Sequence, residues 1–182
     1  MVAQRCSFAT ARLHVGEWHR SVDEMRRDGD LAQIVAEMMT SAVTGTLPAE
    51  WHGRFTRDRA EQWIAERDLE GSTLLARELI SDQAVGLLIL HEVEAGPRTG
   101  VDIRLGYLLA EAVWGRGFGG ELVSGFVDWC RGQPEVRSLT GGVAKPNVAS
   151  IRILERIGFL PVPEGDAAPG AELIYRLSLR AY

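Results

Sequence analysis

Residues 113–121 read VWGRGFGGE and place four glycines, Gly115, Gly117, Gly119 and Gly120, within six positions. An apolar run, LGYLLAEA, precedes them, and a segment of helical character, ELVSGFVDWC, follows. A strand that enters a glycine-rich turn and then a helix is suited to bind an anion, because the first N–H groups of a helix lack internal partners. Glycines also let consecutive N–H groups turn toward one ligand. This glycine loop (residues 114–120) therefore predicts either a phosphorylated ligand or a tight turn that needs positive φ.

Two other phosphate-binding motifs are not supported by the sequence. The GxxxxGK(S/T) pattern of a nucleoside-triphosphate loop is absent. GRGFGG, at 115–120, matches the dinucleotide pattern GxGxxG only nominally. It lies late in the chain, after a predicted antiparallel meander, and no acidic residue ends the next predicted strand about twenty residues on.

Length and composition predict one domain of an ordinary soluble protein. The 182 residues are 46% hydrophobic and 25% charged, and no repeat or low-complexity tract divides them. The net charge of −5 argues against a nucleic-acid-binding protein, which usually carries a basic face. No apolar run reaches the ~18–20 residues of a membrane span, and the N-terminus lacks the apolar segment of a signal peptide. We predict a cytoplasmic protein without membrane or nucleic-acid partners, and keep a homodimer as an open prediction.

Cysteine and histidine usage predicts no metal site. Cys6 and Cys130 belong to no CxxC motif or Cys/His cluster, and the four histidines lack the spacing of metal ligands. Two reduced thiols, of which Cys130 is buried, are the expected state.

The order of predicted elements indicates a mixed α/β sheet packed with helices. A weak strand at 11–15 is followed by a helical front (residues 16–70). The front contains two helical pieces within 22–39, a loop over 44–55, and a helix from a Thr56 cap to about Leu69, ended by Gly71. Strands are then predicted over 72–80, 84–92, 101–109, 138–144, 159–163 and 171–179, and helices over 121–131 and 149–157.

A second motif lies downstream of the glycine loop. Residues 147–159 read NVASIRILERIGF, in which Asn147 is placed to cap a helix that Gly158 ends. Together the two segments resemble the GNAT superfamily of N-acetyltransferases. YLL followed by WGRGFGGE is similar to its pyrophosphate-binding signature, Q/R-x-x-G-x-G/A, and the second segment to its Asn-led helix that ends in GF. Trp114 replaces the usual Gln or Arg, and Leu154 a common Tyr, which resembles the branch of ribosomal-protein N-terminal acetyltransferases.

The resemblance implies the fold and the reaction. We expect a single N-acetyltransferase domain over 1–182, with the helical front and a cofactor-binding core at 101–159. Its sheet would be mixed, mostly antiparallel and twisted, with helices on both faces and splayed central strands. The family implies acetyl-coenzyme A as cosubstrate, no metal, and a primary amine as acceptor that attacks directly in a ternary complex. A protein N-terminus or a small amine would serve as that acceptor.

The resemblance also implies the cofactor site. In the family, the strand that here ends at Leu109 splays from the next one, and the exposed backbone pairs with pantetheine as an added strand would. Asn147 would reach the same arm from the other side, or act only as a helix cap. The residues predicted to bind the cofactor are Tyr107, Leu109, Trp114, Gly115, Arg116, Gly117, Phe118, Gly119, Gly120 and Asn147.

The catalytic residues are predicted on the strand before the glycine loop and on the helix that Asn147 begins. Family members often carry an acid on the strand before the glycine loop, and here the nearest is Asp102, predicted as general base. Asp102 and Arg104 share one face of that strand, so an ion pair between them is the alternative. Ser150 is predicted to protonate the departing thiolate, the alternative being a solvated or capping serine. A backbone N–H, that of Leu109, is expected to polarise the thioester carbonyl.

The acceptor pocket is expected in the front and in the 44–55 loop. Aromatic residues beside acids could hold a cation there, and the candidates are Trp18, Trp51, His52, Glu17 and Glu50. An antibiotic- or polyamine-modifying enzyme is the alternative that the negative net charge favours. A non-catalytic acyl-coenzyme A-binding module is another, because the usual tyrosine is absent and Arg104 stands where relatives commonly carry a Glu.

Overall fold

The structure is a computed structural model that describes residues 2–25, 29–94, 100–163 and 172–180. The loop predicted at 164–170 lies outside these residues. The described helices are α1 (Trp18–Asp23), α2 (Leu31–Met38), α3 (Ser41–Thr44), α4 (Arg57–Glu70), α5 (Phe118–Arg131) and α6 (Val148–Ile157). The described strands are β1 (Phe8–Ala9), β2 (Leu13–Glu17), β3 (Ser72–Glu78), β4 (Ala84–Glu94), β5 (Val101–Leu109), β6 (Val136–Ala144), β7 (Leu160–Pro161) and β8 (Glu172–Ser178).

The strands of the described residues form one sheet in the order β1-β2-β3-β4-β5-β6-β8-β7. Each neighbouring pair is antiparallel except β5 and β6, which are parallel. A parallel pair needs a crossover connection, and α5 supplies it. The mixed, mostly antiparallel sheet expected from the sequence is confirmed.

Helices cover both faces of the sheet. Helices α5 and α6 pack on the back face, where Phe126 is fully buried. Helices α1, α2 and α4 pack on the front face around Trp18, which is 1% exposed. Because side chains alternate along a strand, β5 contributes Ile103 to the back core and Leu108 to the front core. Burying each such side chain stabilises the fold by about 1.5–3 kcal/mol before entropy is counted.

Local signals place several helix ends where the sequence predicted them. The Thr56 hydroxyl accepts a hydrogen bond from the N–H of Arg59, at 3.4 Å, so α4 has the expected cap. Helix α5, in contrast, begins at Phe118 rather than at 121. Gly117 takes a left-handed conformation, with φ 82°, and directs the chain into the helix there. Two loop glycines, 119 and 120, therefore belong to the first helical turn.

Two boundaries in the N-terminal part differ from the prediction. The 44–55 segment is not a plain loop, since α3 runs into it and residues Ala49–Trp51 form a 3₁₀ turn. The early strand is β2 and lies two residues later than 11–15, because its pairing with β3 sets the register. No helix in the described ranges is long and apolar enough to cross a membrane.

Candidate active site

Strands β5 and β6 run side by side and then separate. Their last paired residues are Arg104 and Thr140, although β5 continues to Leu109 and β6 to Ala144. Beyond that point β6 keeps its pairing with β8, and β5 keeps its pairing with β4. The splayed central strands expected from the resemblance are therefore present, and they open a gap in the middle of the sheet.

The peptide groups of Tyr107 and Leu109 point into this gap. The N–H of Ala110 donates to the carbonyl of Val85 on the β4 side at 2.9 Å, which fixes the phase of the ladder. In an antiparallel pair, residues whose backbone N–H and C=O point at the partner strand alternate with residues whose N–H and C=O point away from it. Tyr107, three residues earlier, and Leu109 are therefore directed away from β4 and toward β6. The gap is lined by backbone donors and acceptors that no strand of the described residues pairs.

Trp114 modifies one of these groups. Its indole Nε1–H donates to the carbonyl of Leu109 at 3.0 Å. The Leu109 carbonyl is thus occupied, whereas the Leu109 N–H still faces the gap. The indole is 43% exposed and lines the cavity described below. Trp114 therefore fixes the orientation of the last peptide of β5.

The glycine loop leads from the gap to the N-terminus of α5. Gly115 and Gly117 have φ of 73° and 82°, in the left-handed region that favours glycine. No side chain of the described residues caps α5, so the N–H groups of Phe118, Gly119 and Gly120 remain available at the positive end of the helix dipole. The tight turn that needs positive φ is therefore present, and the uncapped N–H groups support the anion site, which stays a prediction.

The Arg116 side chain pairs with an acid outside the glycine loop. Its guanidinium lies 3.2 Å from the Glu78 carboxylate, and its N–H faces the Val113 carbonyl at 3.4 Å. Arg12 donates to the Arg116 carbonyl at 3.0 Å and covers the ring of Phe118. The predicted cofactor contact of Arg116 therefore finds no support in its placement.

One cavity of about 630 Å³ joins the gap, the glycine loop and the front. This volume lies in the range of ordinary ligand sites, roughly 300–1,000 Å³. Every residue predicted to bind the cofactor lines it except Arg116, including Asn147 at the start of α6. The Asn147 side chain also caps α6, because it accepts the N–H of Ser150 at 3.1 Å.

Two hydroxyl groups lie between β5 and α6. Ser150 lines the cavity on the first turn of α6. The Tyr107 hydroxyl is buried and makes no hydrogen bond of normal geometry with a described residue, although Ser150 lies near enough to influence it. Burial raises the pKa of Tyr107, and the neighbouring Ser150 hydroxyl only partly offsets this.

Asp102 lies outside the cavity. It belongs to the part of β5 that is still paired with β6, and its carboxylate accepts the Ser138 hydroxyl at 2.7 Å. The described residues show no ion pair between Asp102 and Arg104, so that alternative is wrong. About three residues, or ~10 Å of strand, separate Asp102 from the first cavity-lining residue of β5, Leu105.

Glu172, which no sequence motif indicated, is the one acid of the described residues that lines the cavity. The pairing of β8 with β6 brings its carboxylate over Gly142, where a Cβ atom would meet the Oε2 of Glu172 at 2.7 Å. If the pairing of β5 with β6 continued in the same register, Gly106 would lie opposite Gly142. Neither glycine has a side chain, so the front face of the sheet is uncovered at this level. Glu172 thus overhangs an open floor on the side of the gap that faces the front.

The acceptor candidates are only partly brought together. Trp51 lines the cavity with Val43, Thr46, Leu47 and Pro48, so part of the 44–55 segment borders it, and the acceptor pocket expected there stays a prediction. Trp18 is instead a core residue, and Glu17 caps α1. His52 bonds the Leu47 carbonyl at 2.9 Å, and Glu50 lines a separate, smaller pocket. The predicted cation site of aromatic residues beside acids is therefore not formed.

No group of three or more His, Cys, Asp or Glu side chains among the described residues is placed to hold a metal ion. Cys6 and Cys130 are both buried, and burial raises the pKa of each thiol, that of Cys130 to about 12.

Comparisons with known proteins agree with this geometry. A family model described as an acetyltransferase (GNAT) domain matches residues 22–160. None of the curated proteins compared with the chain matches it. A GNAT-family acetyltransferase from Bacillus anthracis has a TM-score of 0.72 at 15% identity, over 96% of this chain and 99% of that one.

Two structures of ribosomal-protein acetyltransferases share the fold. A ribosomal-protein alanine acetyltransferase from Vibrio fischeri has a TM-score of 0.61 at 14% identity, covering 95% of this chain and 96% of that one. RimL, a ribosomal alpha-N-protein acetyltransferase in complex with coenzyme A, has a TM-score of 0.66 at 13% identity, covering 93% and 95%. The family match includes both the glycine loop and the Asn147-led helix, and we conclude that the chain belongs to the GNAT acetyltransferase family and is an acyltransferase.

Proposed function

We propose that the protein transfers an acetyl group from acetyl-coenzyme A to the primary amine of a peptide or protein N-terminus, by direct attack in a ternary complex. The observation that carries the proposal is that one cavity is lined by the unpaired backbone of β5, by the glycine loop and by residues of the 43–51 segment. A donor and an acceptor can therefore enter from different sides and meet at the gap. The ribosomal-protein acetyltransferases among the similar structures support a peptide acceptor.

The chain offers groups that fit each part of the donor. The uncapped N–H groups of Phe118, Gly119 and Gly120 would bind the pyrophosphate, and the peptide groups of Tyr107 would pair with the pantetheine arm. Because Trp114 occupies the Leu109 carbonyl, Leu109 would act through its N–H alone, as a donor to the thioester oxygen. The cosubstrate supplies the thioester, whose acetyl group passes to the amine as the thiol leaves.

The protein's own contribution is positioning and proton transfer. Holding both reactants in one cavity accounts for much of the acceleration that such a reaction needs. Glu172, over the open floor of Gly142, is the carboxylate best placed to take the proton that the amine loses, directly or through water. Asp102 stays a prediction for this role, and its distance from the cavity gives it less support.

Ser150 remains our proposal for the proton donor to the departing thiolate. Its hydroxyl belongs to the cavity wall, and its N–H is held by Asn147, which fixes the first turn of α6. The buried Tyr107 hydroxyl behind it has no other partner among the described side chains, so it would orient the Ser150 hydroxyl rather than act alone.

Calorimetric titration with coenzyme A tests the cofactor half of this proposal. Gly117→Glu should weaken binding by roughly ten- to a hundredfold, because it adds a negative charge and a side chain at positive φ where the phosphate would bind. Gly132→Glu, at the other end of α5 with φ −73°, is the matched control and should bind normally. Unchanged affinity in a folded Gly117→Glu protein would contradict the phosphate site.

A thiol-release assay with acetyl-coenzyme A and N-terminal peptides tests the transfer itself. Both protein thiols are buried, so the signal reports coenzyme A. Normal cofactor binding without turnover on any peptide or amine would favour the alternative of a non-catalytic acyl-coenzyme A-binding module.

A further inference from the structure

The front wall of the cavity is mostly apolar. Residues 43–51 contribute Val43, Leu47, Pro48 and Trp51 to it, and the sheet contributes Ile89 and Leu108. Thr46 also lines this wall, and its hydroxyl donates to the Val43 carbonyl at 2.9 Å. Leu47, Pro48 and Trp51 are half-buried, so each still exposes apolar surface toward the cavity. A ligand side chain that covers this surface would gain the free energy of apolar burial.

The charges around the cavity are few and balanced. Among the described residues that line it, Glu172 is the one acid and Arg156 the one residue with a permanent positive charge. Glu172 provides a partner for a single ammonium group. A polyamine or an aminoglycoside carries several such groups, and each further one would lose its water without a carboxylate to replace it.

The Trp51 ring does not offer a cation–π contact to a second ammonium group of a ligand. The Arg67 guanidinium already lies over its ring, with Cζ 4.8 Å from the centroid, and the Trp63 ring packs edge-on at 5.3 Å. Arg67 is held in place by Glu70, at 2.6 Å. The ring face under Arg67 is therefore engaged by a protein cation and is not available to a cation of the ligand.

We propose that the acceptor site selects a single amine next to an apolar side chain, held between Glu172 and the wall formed by Leu47, Pro48 and Trp51. The acceptor is then a peptide N-terminus with an apolar first residue, and polycationic amines are poor acceptors. This inference rests on the proposed acetyl transfer, and it assigns Leu47 as a specificity-determining residue.

The test compares acceptors that differ only in this property. Three hexapeptides identical from the second residue, beginning with Met, Lys or Asp, are assayed by thiol release beside spermidine and kanamycin. The Met-led peptide should have a kcat/KM at least about tenfold above the Lys-led and Asp-led peptides, as expected for discrimination in an apolar pocket. Spermidine and kanamycin should be poorer still.

Two variants assign the selection to the wall. Leu47→Ala should raise KM for the Met-led peptide several-fold, with little change for the Asp-led peptide. Leu47→Asp should reduce or reverse the preference for Met over Lys, because it places a carboxylate opposite the Lys side chain. Leu69→Asp, at a leucine that is 89% exposed on α4, is the matched control and should keep the wild-type ratios.

The outcomes separate this inference from the proposed function. A wild-type enzyme that prefers the Lys-led or the Asp-led peptide overturns the apolar selection and leaves the proposed peptide acetylation standing. One that prefers spermidine or kanamycin overturns the peptide acceptor as well and leaves only acetyl transfer to an amine. Unchanged ratios in folded Leu47→Ala and Leu47→Asp overturn the role of Leu47. An enzyme that binds coenzyme A but releases thiol with none of the five acceptors overturns both.

Discussion

The carboxylates of Glu172 and Asp102 lie at different positions relative to the gap between β5 and β6. Glu172 overhangs the open floor at Gly142, whereas Asp102 is bonded to Ser138 in the closed part of the sheet. A carboxylate that takes a proton from the reacting amine contributes typically 10²–10⁴-fold to the rate. Glu172 lines the cavity in which that contact would be made, whereas Asp102 does not line it.

Glu172→Gln should therefore lower kcat/KM for a peptide acceptor by roughly a hundredfold near neutral pH. The loss should shrink as pH rises above the amine pKa, about 8 for a peptide N-terminus, because the amine then arrives neutral. Asp102→Asn is the matched comparison, and it should keep most of the wild-type rate. The pH–rate profiles of both variants, with coenzyme A affinity as the binding control, make the measurement. A large loss in Asp102→Asn alone would restore the prediction made from the sequence.

Some residues of the candidate site could be predicted from the sequence, and others could not. The glycine loop and the Asn147 cap could be predicted because each depends on neighbours within a few positions. Glu172 could not, because it reaches the cavity through a strand pairing with β6 whose register no local pattern encodes. The role of Trp114 was missed for a similar reason: its indole bonds a carbonyl five residues earlier, across a turn whose shape had first to be known.

At the scale of elements, a partly buried carboxylate connects the β1–β2 turn to the first turn of α5. Glu121 accepts hydrogen bonds from the Thr10 hydroxyl at 2.6 Å, and from the N–H and Nε of Arg12 at 2.8 and 2.6 Å. Arg12 in turn holds the Arg116 carbonyl of the glycine loop. Burial alone would raise the pKa of Glu121, but the hydrogen bonds from Thr10 and Arg12 outweigh it and lower that pKa.

Glu121→Gln should lower the free energy of unfolding by about 1.5–3 kcal/mol at neutral pH, since it weakens charge-assisted hydrogen bonds in a partly buried site. A lowered pKa in the folded state stabilises above the ordinary carboxyl pKa, about 4.3, and this contribution disappears as pH falls through the lowered value. Denaturant unfolding of both proteins at a series of pH values measures the difference. Glu61→Gln, on the exposed face of α4, should change stability by less than about 0.5 kcal/mol. A constant difference at all pH values would contradict the assignment.

The order of elements was predictable to a large extent, and their ends less so. Strands 72–80, 84–92 and 101–109 were placed within two residues because alternating or β-rich runs end at turn residues such as Ser81 and Gly100. The start of α5 was misplaced because glycine is a poor helix former, and only the dihedral angles of Gly117 show that the helix has already begun.

At the scale of the whole molecule, the two faces of the sheet carry different parts of the candidate site. The back face, with α5 and α6, carries the glycine loop and the proton-donor candidate, and its residues follow the family's signatures. The front face carries the proposed acceptor wall, and the sequence indicated its aromatic residues but not the side chains that contact them. Arg67 lies over the Trp51 ring, in a contact between α4 and the 3₁₀ turn at Ala49–Trp51. A cation of the protein thus occupies a ring face where the sequence had predicted a cation of the acceptor.

The exposed indole of Trp114 gives this enzyme an intrinsic optical reporter. Trp18 and Trp63 are 1% and 4% exposed, and Trp51 and Trp129 are half-buried, whereas Trp114 is 43% exposed beside the glycine loop. A molecule that settles on the loop would exclude water from this indole and shift its fluorescence emission to shorter wavelength. Titration with coenzyme A should therefore produce a blue shift that Trp114→Phe removes and Trp129→Phe retains. The emission spectrum would then follow occupancy of the donor site in real time, without a labelled substrate.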